Sequence, residues 1–307
     1  MQALQEILDE AVHACRHYAS EGSVATYIPA LGQAPAQAFG ACIVDISGNI
    51  ACSGDFSSKF TMQSISKVAS YMCCLIDSPQ KEVFRKISVE PSSRPFNAIP
   101  DFETLIEAKP LNPMINAGAI AALAFVDGAT PNQKVRRVRN MVQMLSGNDV
   151  IDLNEEVYRS EVDTGDRNRS IAYYLKSTGI ISGSVSALLD AYFRLCSLEV
   201  DCADLARMAL VMALDGRGPD GTPMVPEKVV RTARTVMATC GMYDYSGRYA
   251  ISVGVPSKSG VGGGIMAVVP GRMGIGIYGP ALDPFGNSVC GIELMKLLSR
   301  RLELNIF

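Results

Sequence analysis

Between residue 116 and about residue 239 the apolar side chains recur at helical spacing almost without a break, whereas strand-like alternation is confined to the two ends of the chain. A sheet built from this chain must therefore draw strands from both ends and carry the helices between them as an insertion. Residues 38–46 and 49–53 flank Ser47-Gly48 and predict a hairpin, and residues 249–255, 265–269 and 273–278 supply three further strands. Connections this short favour antiparallel pairing. Residues 4–19 and 288–304 read as flanking helices, and residues 24–31 as an extended segment. Helical stretches fall at 116–126, 133–145, 154–160, 167–178, 184–196, 202–215 and 227–239. The expected fold class is α/β (α+β), with a sheet domain from 1–75 and 225–307, a helical domain from 76–224, and a site at their interface. Residues 90–113 are rich in proline, serine and asparagine yet hold Phe96, Ile99, Phe102 and Leu105, as an ordered loop serving a site would.

The chemistry centres on Gln63-Ser-Ile-Ser-Lys67, which opens a helical pattern through Ile65, Val68, Ala69, Met72, Leu75 and Ile76. Residues three apart on a helix are neighbours, so Ser64 and Lys67 meet where the first turn leaves N–H groups unsatisfied. A desolvated lysine has a lowered pKa, and its neutral amine takes a hydroxyl proton; the Ser64 N–H faces the resulting oxyanion. Ser66 lies on another face and Ser70 is a turn further on, so geometry favours Ser64 as the nucleophile.

Only His13 and His17 are present, four apart on the N-terminal helix without an acid or cysteine cluster, which reads as an ordinary helix face. A histidine-based triad is thereby disfavoured, and a serine enzyme of this composition should run on lysine or tyrosine. A net charge of −3 over 307 residues argues against nucleic acid or an anionic membrane as partner. The basic run Lys134-Val-Arg-Arg-Val-Arg139 reads chiefly as a solvated helix face. No apolar run reaches the roughly 20 residues a membrane span needs, and the first residues lack the pattern of a signal peptide. Nine cysteines in mostly apolar surroundings read as reduced core thiols of a cytoplasmic protein.

Near the other end, Lys258-Ser-Gly-Val-Gly-Gly-Gly264 adds a second motif, with Val261 as candidate for the other oxyanion N–H. The pair of motifs resembles the serine β-lactamase and penicillin-binding-protein fold. Gly274-Ile-Gly-Ile-Tyr-Gly279 matches a dinucleotide fingerprint in letters only: Pro280 follows instead of a helix, so it reads as a tightly packed strand.

A closer likeness runs through Tyr27-Ile-Pro-Ala-Leu31, Gln63-Ser-Ile-Ser-Lys67, Glu90-Pro-Ser-Ser-Arg-Pro-Phe-Asn97 and Asn112-Pro-Met-Ile-Asn-Ala-Gly-Ala-Ile120. It continues through Tyr158-Arg-Ser-Glu161, Arg167-Asn168, Cys240-Gly-Met-Tyr-Asp-Tyr-Ser-Gly247 and Lys258-Ser-Gly-Val-Gly-Gly-Gly-Ile265. In these stretches the chain resembles the serine-dependent glutaminases. The resemblance implies hydrolysis of L-glutamine to L-glutamate and ammonia, with Ser64 as nucleophile, Lys67 as base and Tyr243 helping to shuttle the proton. It further implies Tyr27, Gln63, Asn116, Glu161, Asn168 and Tyr192 around the substrate, the Val261 backbone beside Ser64, no metal or organic cofactor, and a homodimer or homotetramer. Ser93 and Ala98 depart from the glycine and serine expected in their loop.

Physical chemistry agrees with that assignment. Glutamine carries an α-ammonium, which suits Glu161, and an α-carboxylate, which needs neutral or cationic donors such as Asn116, Asn168 and the tyrosines. Two rival readings are a serine acyl hydrolase of the β-lactamase or DD-peptidase type and a non-catalytic amino-acid-binding protein on the same scaffold. The lack of a signal peptide weighs against the first, the intact Ser64, Lys67 and Tyr243 against the second.

Overall fold

A computed structural model describes residues 2–91 and 109–307; most of the loop expected at 90–113, with Ser93 and Ala98, lies outside the described residues. The strands are β1 (Gly40–Asp45), β2 (Ile50–Gly54), β3 (Phe60–Thr61), β4 (Glu199–Val200), β5 (Ser257–Ser259), β6 (Gly264–Val269) and β7 (Met273–Tyr278). Five of them form one antiparallel sheet in the order β2-β1-β7-β6-β5, so strands from the two ends of the chain pair at its centre. β3 and β4 form a separate two-stranded ribbon.

Period-two alternation divides the sheet between two cores. Ala41, Ile43, Ile265, Ala267, Ile275 and Ile277 face the helices Gln2–Cys15 and Val289–Leu302. Cys42, Val44, Met266, Val268 and Tyr278 face the central helices. Here Gly274 and Gly276 earn their place: a Cβ on either would come within 2.0 Å of the carbonyl oxygens of Ala206 and Cys202, so their absence lets the helix Cys202–Ala213 lie against β7. The tightly packed strand expected there is present. The architecture is the serine β-lactamase-like fold: an antiparallel sheet with terminal helices on one face and the inserted helices on the other.

Four expectations change. Residues 249–255 are not a strand: Ser246–Ser252 is a helix that buries Ser246 and Tyr249, and Gly254 at φ +71° ends it by turning its N–H back to the Tyr249 carbonyl. The alternation of Ile251, Val253 and Val255 was misleading because Ile251 is 85 % exposed; the fifth strand is Ser257–Ser259. Residues 24–31 are not uniformly extended, since Pro29 starts a 3-10 turn over Pro29–Gln33. The helix expected from Ser64 begins with a 3-10 turn, Gln63–Ile65, before the α-helix Ser66–Asp77. Finally, Cys42 and Cys52 are bonded to each other, because the hairpin register places them directly opposite with Cα atoms 4.2 Å apart; the remaining seven cysteines are free and buried.

The basic run is held by its own chain. Lys134 donates to the carbonyls of Ala124 and Val126 at the end of the helix Asn116–Ala124, Arg137 pairs with Asp77 at 2.7 Å, and Arg139 lies 3.6 Å from Asp152. Among the described residues no helix is long and apolar enough to cross a membrane.

Candidate active site

The nucleophile candidate is fixed from three sides. Upstream, β3 pairs with β4, Met62 N–H donates to the Leu198 carbonyl at 2.8 Å, and Phe60 stacks on Tyr278. Gly260 and Gly262 complete the arrangement, since a Cβ on either would sit 2.7 Å from the carbonyl oxygens of Met62 and Thr61. Only glycine lets the turn after β5 approach this closely. Gln63, buried and followed by Ser64, takes φ +47°, a left-handed value held by the surrounding structure.

Eight of the expected residues, Tyr27, Gln63, Ser64, Asn116, Glu161, Asn168, Tyr192 and Val261, line one cavity of about 90 Å³. Each arrives on its own support. Ile28 and Leu31 bury beside Val157, Tyr243, Val261 and Leu282, which leaves Tyr27 at the cavity. Asn112 pins the loop before Asn116: its side chain donates to Glu90 and accepts from Met114 N–H and Ile115 N–H. Glu161 lies on the helix Glu155–Asp163, Asn168 near the start of Asp166–Ser177, and Tyr192 on Val185–Cys196.

Lys67 is 2 % exposed and lies behind this wall, where its Nζ donates to Asn116 Oδ1 at 2.7 Å and to the Met114 carbonyl at 3.3 Å. Asn116 Nδ2 in turn donates to Asn168 Oδ1 at 2.9 Å. Burial lowers the Lys67 pKa to about 8, against the opposing pull of Cys196 and Glu161. Burial likewise raises Glu161 to about 7, with a Gln63 hydrogen bond and Lys67 working the other way. Ser66 directs its hydroxyl into the Gln63 carbonyl at 2.8 Å and, unlike Ser64, does not line the cavity.

Tyr243 does not line this cavity but a second one of about 80 Å³, with Met114 and Ile115. It too has a left-handed backbone, φ +54°, and Ser246 holds it by donating to its carbonyl at 2.7 Å. Its hydroxyl donates to the Ser259 carbonyl at 3.0 Å and shares a hydrogen bond with Ser64; burial nevertheless raises the phenol far above its ordinary pKa, so it stays protonated. Lys258, fully buried, donates to the carbonyls of Gly241 and Ser259 and sits 4.3 Å from the Tyr243 ring centroid.

Sequence reasoning missed four lining residues: Ile28, Thr164, Arg167 and Cys196. Ile28 and Arg167 stand inside the matched runs and could have been found there; Cys196 was counted only as a core thiol. Neither histidine lines the cavity, and the described residues contain no cluster of three His, Cys, Asp or Glu able to hold a metal.

A family model described as Glutaminase matches residues 22–307. A glutaminase of Clostridium tetani is 48 % identical over 305 residues, covering 99 % of this chain and 100 % of that protein. One from Clostridioides difficile is 48 % identical over 309 residues, covering both chains in full at 100 %. Among solved structures, a probable glutaminase from Bacillus subtilis complexed with 6-diazo-5-oxo-L-norleucine superposes with a TM-score of 0.91 at 38 % identity, over 99 % of this chain and 96 % of its own. The covalent complex of a Bacillus subtilis glutaminase with 5-oxo-L-norleucine gives 0.90 at 39 % identity over 100 % of both chains.

Proposed function

Since the chain belongs to the glutaminase family, we propose that it hydrolyses L-glutamine to L-glutamate and ammonia through Ser64 and Lys67. The observation that carries this reading is the placement of Ser64 in a cavity with the buried Glu161, backed by a lysine whose pKa burial has brought down to about 8. Glu161 supplies the anion for the α-ammonium.

Ser64 Oγ attacks the γ-carboxamide carbon while the neutral Lys67 amine takes the hydroxyl proton. The carbonyl oxygen becomes an oxyanion facing the backbone N–H groups of Ser64 and Val261. Collapse breaks the C–N bond, and Tyr243 passes a proton to the departing ammonia and regains one from the Lys67 ammonium. The γ-glutamyl ester left on Ser64 is then cleaved by water, with Lys67 again as base, releasing L-glutamate and the free hydroxyl. Gln63 orients Glu161 through their hydrogen bond, and Tyr27, Asn116, Asn168 and Tyr192 enclose the substrate.

The two-part division at about residues 75 and 225, with the cleft between the parts, belongs to the same proposal. So do a cytoplasmic location, for which the seven free thiols speak and the Cys42–Cys52 bond does not, and a homodimer or homotetramer, in keeping with exposed Ile251 and Phe307.

The test is ammonia release from L-glutamine by the purified protein, Ser64→Ala and Ser66→Ala, with a chromogenic β-lactam as second substrate. Turnover of glutamine lost only in Ser64→Ala is expected. Absence of glutamine turnover together with β-lactam cleavage would move the assignment to the acyl hydrolases of the wider fold.

A further inference from the structure

We propose that Arg167 recognises the substrate's α-carboxylate and thereby makes the site selective for a free amino acid over a glutamine whose carboxyl is blocked. The inference rests on the glutamine reading of the cavity. Of the residues lining that cavity only two carry formal charge, Glu161 and Arg167. They stand on successive helices, Glu155–Asp163 and Asp166–Ser177, separated by the turn at Gly165.

The two charges are not spent on each other. The ion pairs among the described residues include none between them, and the influences on Glu161 are burial, Gln63 and Lys67. Arg167 has no hydrogen bond or ion pair within the described chain, in contrast to Arg169, which pairs with Asp166 at 3.0 Å and donates to the Val162 carbonyl. A guanidinium keeps its charge across the accessible pH range and presents a planar fork that fits a carboxylate.

The donors otherwise available are few. Asn116 is committed on both ends, its oxygen to Lys67 and its nitrogen to Asn168. Asn168, the next residue after Arg167, has its oxygen taken by Asn116 and keeps only its amide N–H groups to offer. A zwitterionic α-carbon lying between Glu161 and Arg167 places each of its charges against the opposite sign, while the γ-carboxamide extends to Ser64.

The test is steady-state ammonia release from L-glutamine and from its α-N-methylamide, which loses ammonia only from the γ-position. Both are measured with the wild type, Arg167→Gln and Arg167→Lys. The wild type is expected to favour the free acid, and Arg167→Gln to lose about tenfold of that preference, chiefly in KM. Arg167→Lys should recover part of it, and added salt should erode the preference in the wild type more than in Arg167→Gln. Equal loss on both substrates, or an unchanged preference, overturns the role of Arg167 while leaving glutamine hydrolysis intact. A wild type that releases no ammonia from L-glutamine overturns the glutamine reading itself.

Discussion

Lys67 and Asn116 are joined by a 2.7 Å hydrogen bond in which the buried amine donates to a neutral amide oxygen. A carboxylate in that place would hold the lysine charged; an amide satisfies a donor without stabilising the cation. Asn116→Asp is therefore expected to raise the Lys67 pKa and cut kcat near neutrality at least tenfold, with partial recovery at high pH. Each unit of upward shift removes about tenfold of the neutral base. A pH profile of kcat for both proteins checks it.

Activity should fall on the acid side for two reasons. The proposed roles require Lys67, at about 8, to be neutral and Glu161, at about 7, to be ionised. Both functions are lost as pH falls, so log kcat/KM should steepen toward a slope of two below about 7. The two values belong to an interacting pair. In Glu161→Gln the profile should follow the single remaining ionisation, with a raised KM.

Tyr243→Phe removes the hydroxyl that contacts Ser64 and Ser259. A proton-relay role predicts a fall in kcat of about 10²–10⁴ with little change in KM, as expected for general acid–base catalysis. Single-turnover kinetics would separate loss of acylation from loss of binding.

Gly276→Ala places a methyl 2.0 Å from the Cys202 carbonyl, backbone against backbone. Destabilisation of about 2–4 kcal/mol is expected from such overpacking. Thermal unfolding should show it, while the folded fraction retains its KM because neither residue lines the cavity.

The central helices were legible because each repeats its apolar face over several turns: Asn154, Ser184 and Asp201 cap three of them, and Gly147 ends Pro131–Ser146 with φ +63°. The segment 249–255 was not, since over seven residues an alternating pattern and a single helical turn are hard to distinguish. The bond between Cys42 and Cys52 needed the hairpin register, which their ten-residue separation alone does not supply.

The chemistry along each segment is written in local order: a serine three residues before a lysine, glycines where backbones must touch, and matching runs over nearly the whole chain. The electrostatics come from long-range packing. The Lys67 pKa is brought down because long-range packing removes water from it, and the same packing supplies Asn116, 49 residues away. Glu161 and Ser64 share a cavity because β3 meets β4 and Ile28 is buried against Val157. A pKa depends on solvent exclusion and on neighbours in space, neither of which local spacing records.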